Sequence, residues 1–332
     1  MQKKVLFWLI VMALLWGPSF LFIKIAVEEI PPLTLAASRV GLASLLLLGV
    51  LWVQGRRLPK FGPIWTHFAV MGIVSNAVPF TLLNWGEQYI DSAIAAILIG
   101  TTPLFTIFLA HIFMANDRLT GRKLLGALLG FAGLSLLFGP ALLGGVQATL
   151  LGLLAATTAA ASYAIAIIYG KRYLHGLPPL VAPTAQLVMA TVFLMPVSLV
   201  VDQPFSLALP TWPAILALAA VAVFGTTVAY VAYYHTMEFA TATELSMVTY
   251  LVPIVGAVMG MVVLNERLGW NGTLGCGLII VGVMVVNGVL KFRTRRRPVD
   301  LDGRSPNWSD LTAYSYIFKG VKNTRRHGQT QP

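Results

Sequence analysis

The sequence predicts an all-α integral membrane protein of ten transmembrane helices, arranged as two inverted five-helix repeats. Three observations predict it. Hydrophobic residues make up 57% of the 332-residue chain and charged ones 11%, against about 45–50% and about 25% in soluble domains, so the solvent is lipid. The apolar residues fall into runs near 5–27, 33–53, 64–85, 92–114, 122–140, 148–170, 180–201, 213–235, 243–264 and 272–291. Each is close to the roughly 20 residues that cross about 30 Å of hydrocarbon. A pattern also recurs: adding 149 carries Ala93, Asp117, Arg118, Leu119, Gly126 and Gly133 onto Ala242, Glu266, Arg267, Leu268, Gly275 and Gly282, and Pro103 misses Pro253 by one position.

Taken in order, the first span follows Lys3 and Lys4 and is too long for a signal-peptide core, with no small-residue cleavage site after it, so it is retained. The second carries Arg39; the third carries Asn76, Pro79, Thr81, Asn84 and Trp85; Pro103 interrupts the fourth. Gly126-Ala-Leu-Leu-Gly130 in the fifth and Gly256-Ala-Val-Met-Gly260 in the ninth let backbones approach closely; packing within one chain is their default use and a homodimer contact the alternative. Tyr163 stands in the sixth span, Pro196 in the seventh, Tyr230 and Tyr233 on one face of the eighth, and Tyr250 with Pro253 in the ninth. The tenth holds Cys276, the one cysteine of the chain, which excludes internal disulfides and cysteine metal clusters.

The connections alternate in charge. Lys3 and Lys4, Arg56, Arg57 and Lys60, Arg118, Arg122 and Lys123, Lys171 and Arg172, and the tail lie on one side; Glu28, Glu29, Glu87, Asp91, Asp202 and Glu266 lie on the other. Lys and Arg resist translocation, so both termini are expected in the cytoplasm of an inner (plasma) membrane protein. Of the net charge of +11, the tail from Lys291 holds +7; attraction to anionic lipid accounts for it without nucleic acid. Five spans per copy is odd, so the second copy enters the bilayer inverted. The expected units are 1–141, 142–290 and a basic cytoplasmic tail 291–332, whose later residues suit either a surface amphipathic helix or a disordered segment.

Trp16-Gly17-Pro18-Ser19-Phe20 with Lys24, Arg39, Gly86-Glu87-Gln88-Tyr89, Thr102-Pro103-Leu104 with Asp117-Arg118-Leu119, Ser162-Tyr163-Ala164, and Pro253 with Glu266-Arg267-Leu268 resemble the EamA-type members of the drug/metabolite transporter superfamily over about residues 5–290. The resemblance implies ten helices as two five-helix inverted repeats, no ATP hydrolysis, and frequent export of amino acids or related metabolites. It places helices one to four and six to nine around the pathway.

The expected function is secondary active transport of small metabolites, outward, by alternating access. Lys24 and Arg39 are the cations within spans; they serve either as snorkelling anchors or as a cationic wall for an anion. Trp16, Asn76, Asn84, Trp85, Tyr163, Tyr230, Tyr233 and Tyr250 are the further candidate substrate contacts. Pro103 and Pro253, at corresponding places in the two halves, are candidate hinges. Glu244 is the candidate coupling residue, and Glu238, Glu87 and His235 are the other titratable groups that could couple to protons; all four sit at span ends where water is expected to reach them, which favours a solvated surface role. No Walker loop, zinc motif or serine elbow is present, so no enzyme activity, cofactor or metal is expected. The partners are a small-molecule substrate and the lipid bilayer. A solute sensor or scaffold, or a lipid-handling protein on the same fold, is the alternative.

Overall fold

The computed structural model describes residues 3–113, 119–143, 147–174, 176–178, 180–237, 239, 248–267, 269–286 and 288–289. Asp117, Arg118, Glu238, Ala242, Glu244, Leu268, the Tyr250 side chain and the tail lie outside them. The chain divides into Met1–Lys291 and Phe292–Pro332, and every described residue belongs to the first unit.

The regular secondary structure among the described residues is all helical, with no strand among them. In chain order the helices are α1 (Lys3–Trp16), α2 (Pro18–Val27), α3 (Pro32–Val53), α4 (Ile64–Gly72), α5 (Val78–Gly86), α6 (Ser92–Ile99), α7 (Thr102–Phe113), α8 (Gly121–Leu143), α9 (Gln147–Tyr173), α10 (Val181–Val201), α11 (Trp212–Ala222), α12 (Ala229–Met237), α13 (Val248–Val263) and α14 (Trp270–Val286). Among the described residues, seven helical stretches are long and apolar enough to cross a membrane: Lys3–Val27, Pro32–Val53, Ile64–Gly86, Ser92–Phe113, Gln147–Tyr173, Val181–Val201 and Trp212–Thr236; Leu251–Val263 and Trp270–Val286 are shorter apolar helices. This is a multi-pass membrane protein. Leu45, Leu128, Leu216 and Val262 lie more than half exposed on its outside, as apolar side chains facing lipid do.

Where both are described, helix ends fall within a few residues of the predicted ranges, but the interiors differ. The sequence gives each span as one continuous range, with Pro103 expected to interrupt the fourth. The first breaks at Gly17, where Pro18 starts a new helix. The fourth breaks at Gly100 and Thr101, and Pro103 stands in the first turn of α7, where its missing N–H is harmless. The third and eighth are interrupted by π-helical turns, Ile73–Ala77 and Val223–Val228.

Helix α8 packs antiparallel on α14 through glycines. A Cβ on Gly126 would lie 2.6 Å from the Gly282 carbonyl oxygen and one on Gly133 2.5 Å from that of Gly275; a Cβ on Gly282 would lie 2.6 Å from the Gly126 oxygen. In the repeat numbering, Gly275 is the echo of Gly126 and Gly282 the echo of Gly133, so each glycine meets the echo of the other. The Gly256 pattern faces inward too, against Ala96, Phe20 and Gly17. Both G-x-x-x-G patterns are therefore occupied within the chain.

The backbone contact predicts a sharp size limit. Gly126→Ala should destabilise the purified protein by about 1–3 kcal/mol, the usual range for overpacking. Gly277→Ala, where nothing lies within 4 Å of the new Cβ, should leave its melting temperature unchanged. Thermal unfolding in detergent of the two variants measures the difference.

Candidate functional site

The two π-helical turns have different local causes. Pro79 has no N–H to give to the residue four before it, which loosens the backbone at Ile73–Ala77; Ser162 on α9 donates its hydroxyl to the carbonyl oxygen of Val74 at 2.7 Å. In the second turn no proline is present. There Thr226 and Thr227 donate to the carbonyl oxygens of Val221 and Ala222, five residues back, at 3.0 and 2.9 Å. A shift of 150 carries Asn76 onto Thr226 and Phe80 onto Tyr230, so the interruptions occupy matching places in the two halves. Such turns are frequent at functional sites.

Arg39 lies between them. It is 5% exposed, which removes the anchoring reading: its position in α3 is near one end of the helix, but its side chain turns into the protein rather than to the surface. Its Nε donates to Thr226 Oγ1 at 3.0 Å, and its guanidinium carbon stands 3.8 Å from the centre of the Phe80 ring, a cation–π contact of the desolvated kind. Tyr230 donates its hydroxyl to Asn76 Oδ1 at 3.3 Å. Tyr163 meets Phe80 edge-on, ring centres 6.5 Å apart, and Tyr163, Tyr230 and Glu87 lie within electrostatic reach of Arg39. A guanidinium has five N–H donors. Among the described residues only the Nε–H of Arg39 has a partner, and the Nη nitrogens are not among the sealed, unpartnered atoms of the interior, whereas Asn76 Nδ2 is. The arrangement is a planar cation with uncommitted donors, walled by aromatic rings.

The other sequence candidates fall elsewhere. Lys24 Nζ donates to the carbonyl oxygens of Glu87 at 2.5 Å and Ile90 at 2.9 Å, capping the end of α5. Asn84 Nδ2 donates to the Pro32 carbonyl oxygen at 3.1 Å while its Oδ1 is sealed and unpartnered among the described residues. Trp85 packs edge-on to Tyr89. Trp16, beside the break at Gly17, meets Tyr233 with ring centres 5.8 Å apart. Pro253 is inside α13, its ring against Gly100 at the break between α6 and α7; the matched prolines thus sit differently, one opening a helix and one buried within one.

Three carboxylates close the same end as Lys24. Glu29 accepts from the N–H and hydroxyl of Thr211, both at 2.6 Å, at the start of α11. Asp202 accepts from the N–H and hydroxyl of Thr34 at 2.7 and 2.8 Å, at the start of α3. Glu266 accepts from the N–H groups of Ser92 and Ala93 at 2.8 and 2.9 Å, at the start of α6. The chain reaches that last position because Asn265 takes a left-handed conformation, φ 54°. Glu87, expected at a wet span end, is instead fully buried. Burial holds the partly buried Asp91 carboxyl above its ordinary range, with Glu266 adding to the shift and Lys24 opposing it.

Sequence reasoning missed Thr226, Phe80 and the burial of Glu87. A polar Thr226-Thr227 pair inside a long apolar run was the available signal for the first.

The sequence profile of the EamA-like transporter family matches residues 3–139 and 150–288. The chain is 26% identical over 282 residues to the uncharacterized transporter YoaV of Bacillus subtilis, covering 85% of this chain and 96% of that one. It is 29% identical over 275 residues to the uncharacterized inner membrane transporter YedA of Escherichia coli K12, covering 82% and 87%. A solved protein crystal structure shares the fold at TM-score 0.62 and 18% identity, covering 86% of this chain and 98% of that one.

The hydrogen bonds from Thr211 hold the Glu29 carboxyl below its usual range. A depressed carboxyl gives stability that is complete above the unfolded value, about 4.3, and is lost as pH falls through the folded one. Glu29→Gln should therefore melt earlier than the unsubstituted protein at neutral pH and lose part of the acid-side fall. Melting curves in detergent between about pH 3 and about pH 7 measure it; superimposable curves would contradict the clasp.

Proposed function

The chain belongs to the EamA-like transporter family, and from that membership we propose that it is a secondary transporter exporting small amphipathic metabolites with an anionic group, amino acids among them, by alternating access. The observation that carries the reading is Arg39, buried between two interrupted helices with its Nη donors uncommitted among the described residues. A charge in a membrane interior is costly unless paired or hydrated, and a planar fork of donors suits a carboxylate. Phe80, Tyr163 and Tyr230 would hold the apolar part of the cargo, with Asn76 and Thr226 fixing orientation. Trp16, Tyr233 and Tyr250 are proposed along the approach, and Lys24, Asn84 and Trp85 at the closed end.

The reciprocal glycine contacts of α8 and α14 support ten helices in two inverted five-helix repeats, since a two-fold axis in the membrane plane brings each residue onto the echo of its neighbour. In this reading the end with Glu29, Asp202 and Glu266 faces outward, both termini are cytoplasmic, and the structure is closed outside. The matched π-helical turns are the hinges: Val74 inside the first, and Val221 and Ala222 just before the second, already give their carbonyl oxygens to hydroxyls, which eases bending there. Pro253 against Gly100 is a second pivot. Glu244 keeps its proposed place as a coupling residue. The lipid bilayer and the small-molecule cargo are the partners.

The test begins with a melting screen of the purified protein against amino acids and small aromatic carboxylates, since a ligand stabilises the state it binds. Each stabilising compound is then followed in proteoliposomes without ATP. Flux should run down its gradient, and Arg39→Lys should lower it about ten-fold to a hundred-fold, the loss expected for about 1.5–3 kcal/mol of charged hydrogen bonding. Normal flux in Arg39→Lys and Arg39→Ala would remove the site.

A further inference from the structure

We propose that Glu87 is a proton-binding site of the acid-bearing end, holding a proton while that end is closed and releasing it when the end opens. The inference rests on the alternating-access reading and adds to it a titratable gate.

Both carboxyl oxygens of Glu87 are sealed and without a hydrogen-bond partner among the described residues. An ionised carboxylate in that situation is far more costly than a neutral carboxylic acid. The backbone adds to this. Glu87 is the C-cap of α5, its N–H bonded to the Leu83 carbonyl oxygen at 2.9 Å, and a helix C-terminus repels negative charge.

The nearest cation does not compensate by direct contact, because Lys24 spends its hydrogen bonds on the carbonyl oxygens of Glu87 and Ile90. The charged groups that act on the carboxyl are Lys24 from α2 and Arg39 from α3, which favour ionisation, and Glu266 from the connection after α13, which opposes it; Asp91 follows in its own connection. From α9 the groups facing the neighbouring Gly86 are Gly152, Ala155 and Ala156, none of which titrates. Burial is the largest influence and holds Glu87, in the connection just beyond α5, well above the ordinary carboxylate range.

A proton supplies what the structure lacks. A neutral carboxylic acid has one O–H to donate, and Asn84, three residues earlier on the same face of the helix, offers a sealed Oδ1 that also has no partner among the described residues. Two of the polar ties of this end, Lys24 and Glu266, act on the group, and in this proposal it stays dry while that end is closed. When the end opens, water reaches the carboxyl, its proton affinity drops towards the ordinary value of about 4.3, and at neutral pH the proton leaves to that side. Closing again requires a proton to return. Low pH on the acid-bearing side therefore favours the closed state.

Two measurements on the full chain in lipid vesicles test this. Infrared difference spectra should show a protonated-carboxyl band at neutral pH that is lost in Glu87→Gln; an unchanged band overturns the proposal. In a Cys276→Ala background, Leu83→Cys, buried one turn before Glu87, is exposed to a membrane-impermeant maleimide and normalised to unfolded protein at each pH. Labelling should rise at least several-fold from pH about 5 to about 8, remain low and flat with Glu87→Gln added, and keep its slope with Glu87→Asp. The same pH profile with and without Glu87→Gln overturns the gate. Absence of flux for every solute would count against the transport reading while leaving the infrared and labelling results in force.

Discussion

Hydrocarbon offers no hydrogen-bond partner, so every polar group of a membrane helix must find one inside the protein, and the rest of this structure depends on how that is met at helix ends. The first turn of a helix leaves N–H groups unpaired and carries partial positive charge; the last turn is the reverse. Here the partners come from other helices. Glu29, Asp202 and Glu266 sit at the starts of α11, α3 and α6, and Lys24 at the end of α5. Anions meet N-termini and the cation meets a C-terminus, as the dipoles require. Residues that look in sequence like loop charges are thus the ties that hold one end of the bundle together.

The same rule governs the interior. Interrupting a helix frees carbonyl groups, and hydroxyls meet some of them: Ser162 reaches Val74 inside the first π-helical turn, and Thr226 and Thr227 reach Val221 and Ala222 at the end of α11, just before the second. The halves match in position and differ in chemistry. Phe80 answers Tyr230 and Asn76 answers Thr226, while the cation belongs to the first half alone: a shift of 150 from Arg39 arrives at Met189. A duplicated frame has become an asymmetric site, with Arg39 bonded to the second half through Thr226 and stacked on the first through Phe80.

Close packing fixes what may move. Helix α8 meets α14 backbone to backbone over two glycine pairs, a contact with no room for sliding side chains. The π-helical turns, by contrast, interrupt the helices on either side of Arg39, and a further break stands at Gly100 against Pro253. Rigid contact at one place and interrupted helices at another is the mechanical division on which the proposed alternating-access reading draws.

The apolar runs, their lengths and the 149-residue echo determined the membrane class and the helix ranges, because crossing hydrocarbon is a constraint on local composition. The residues of the site were partly legible on the same grounds: Arg39, Asn76, Tyr163 and Tyr230 stand out as polar or aromatic groups inside apolar spans. Which way they face was not. In a soluble protein the apolar side of a helix marks the core, but in a membrane both lipid-facing and protein-facing sides are apolar, so sequence gives depth along a helix and little about direction around it. That is why Arg39 read equally well as a surface anchor and Glu87 as a wet loop acid. Only tertiary packing, by placing Thr226 and Phe80 against one and bringing Lys24 and Glu266 near the other, decided that both are buried.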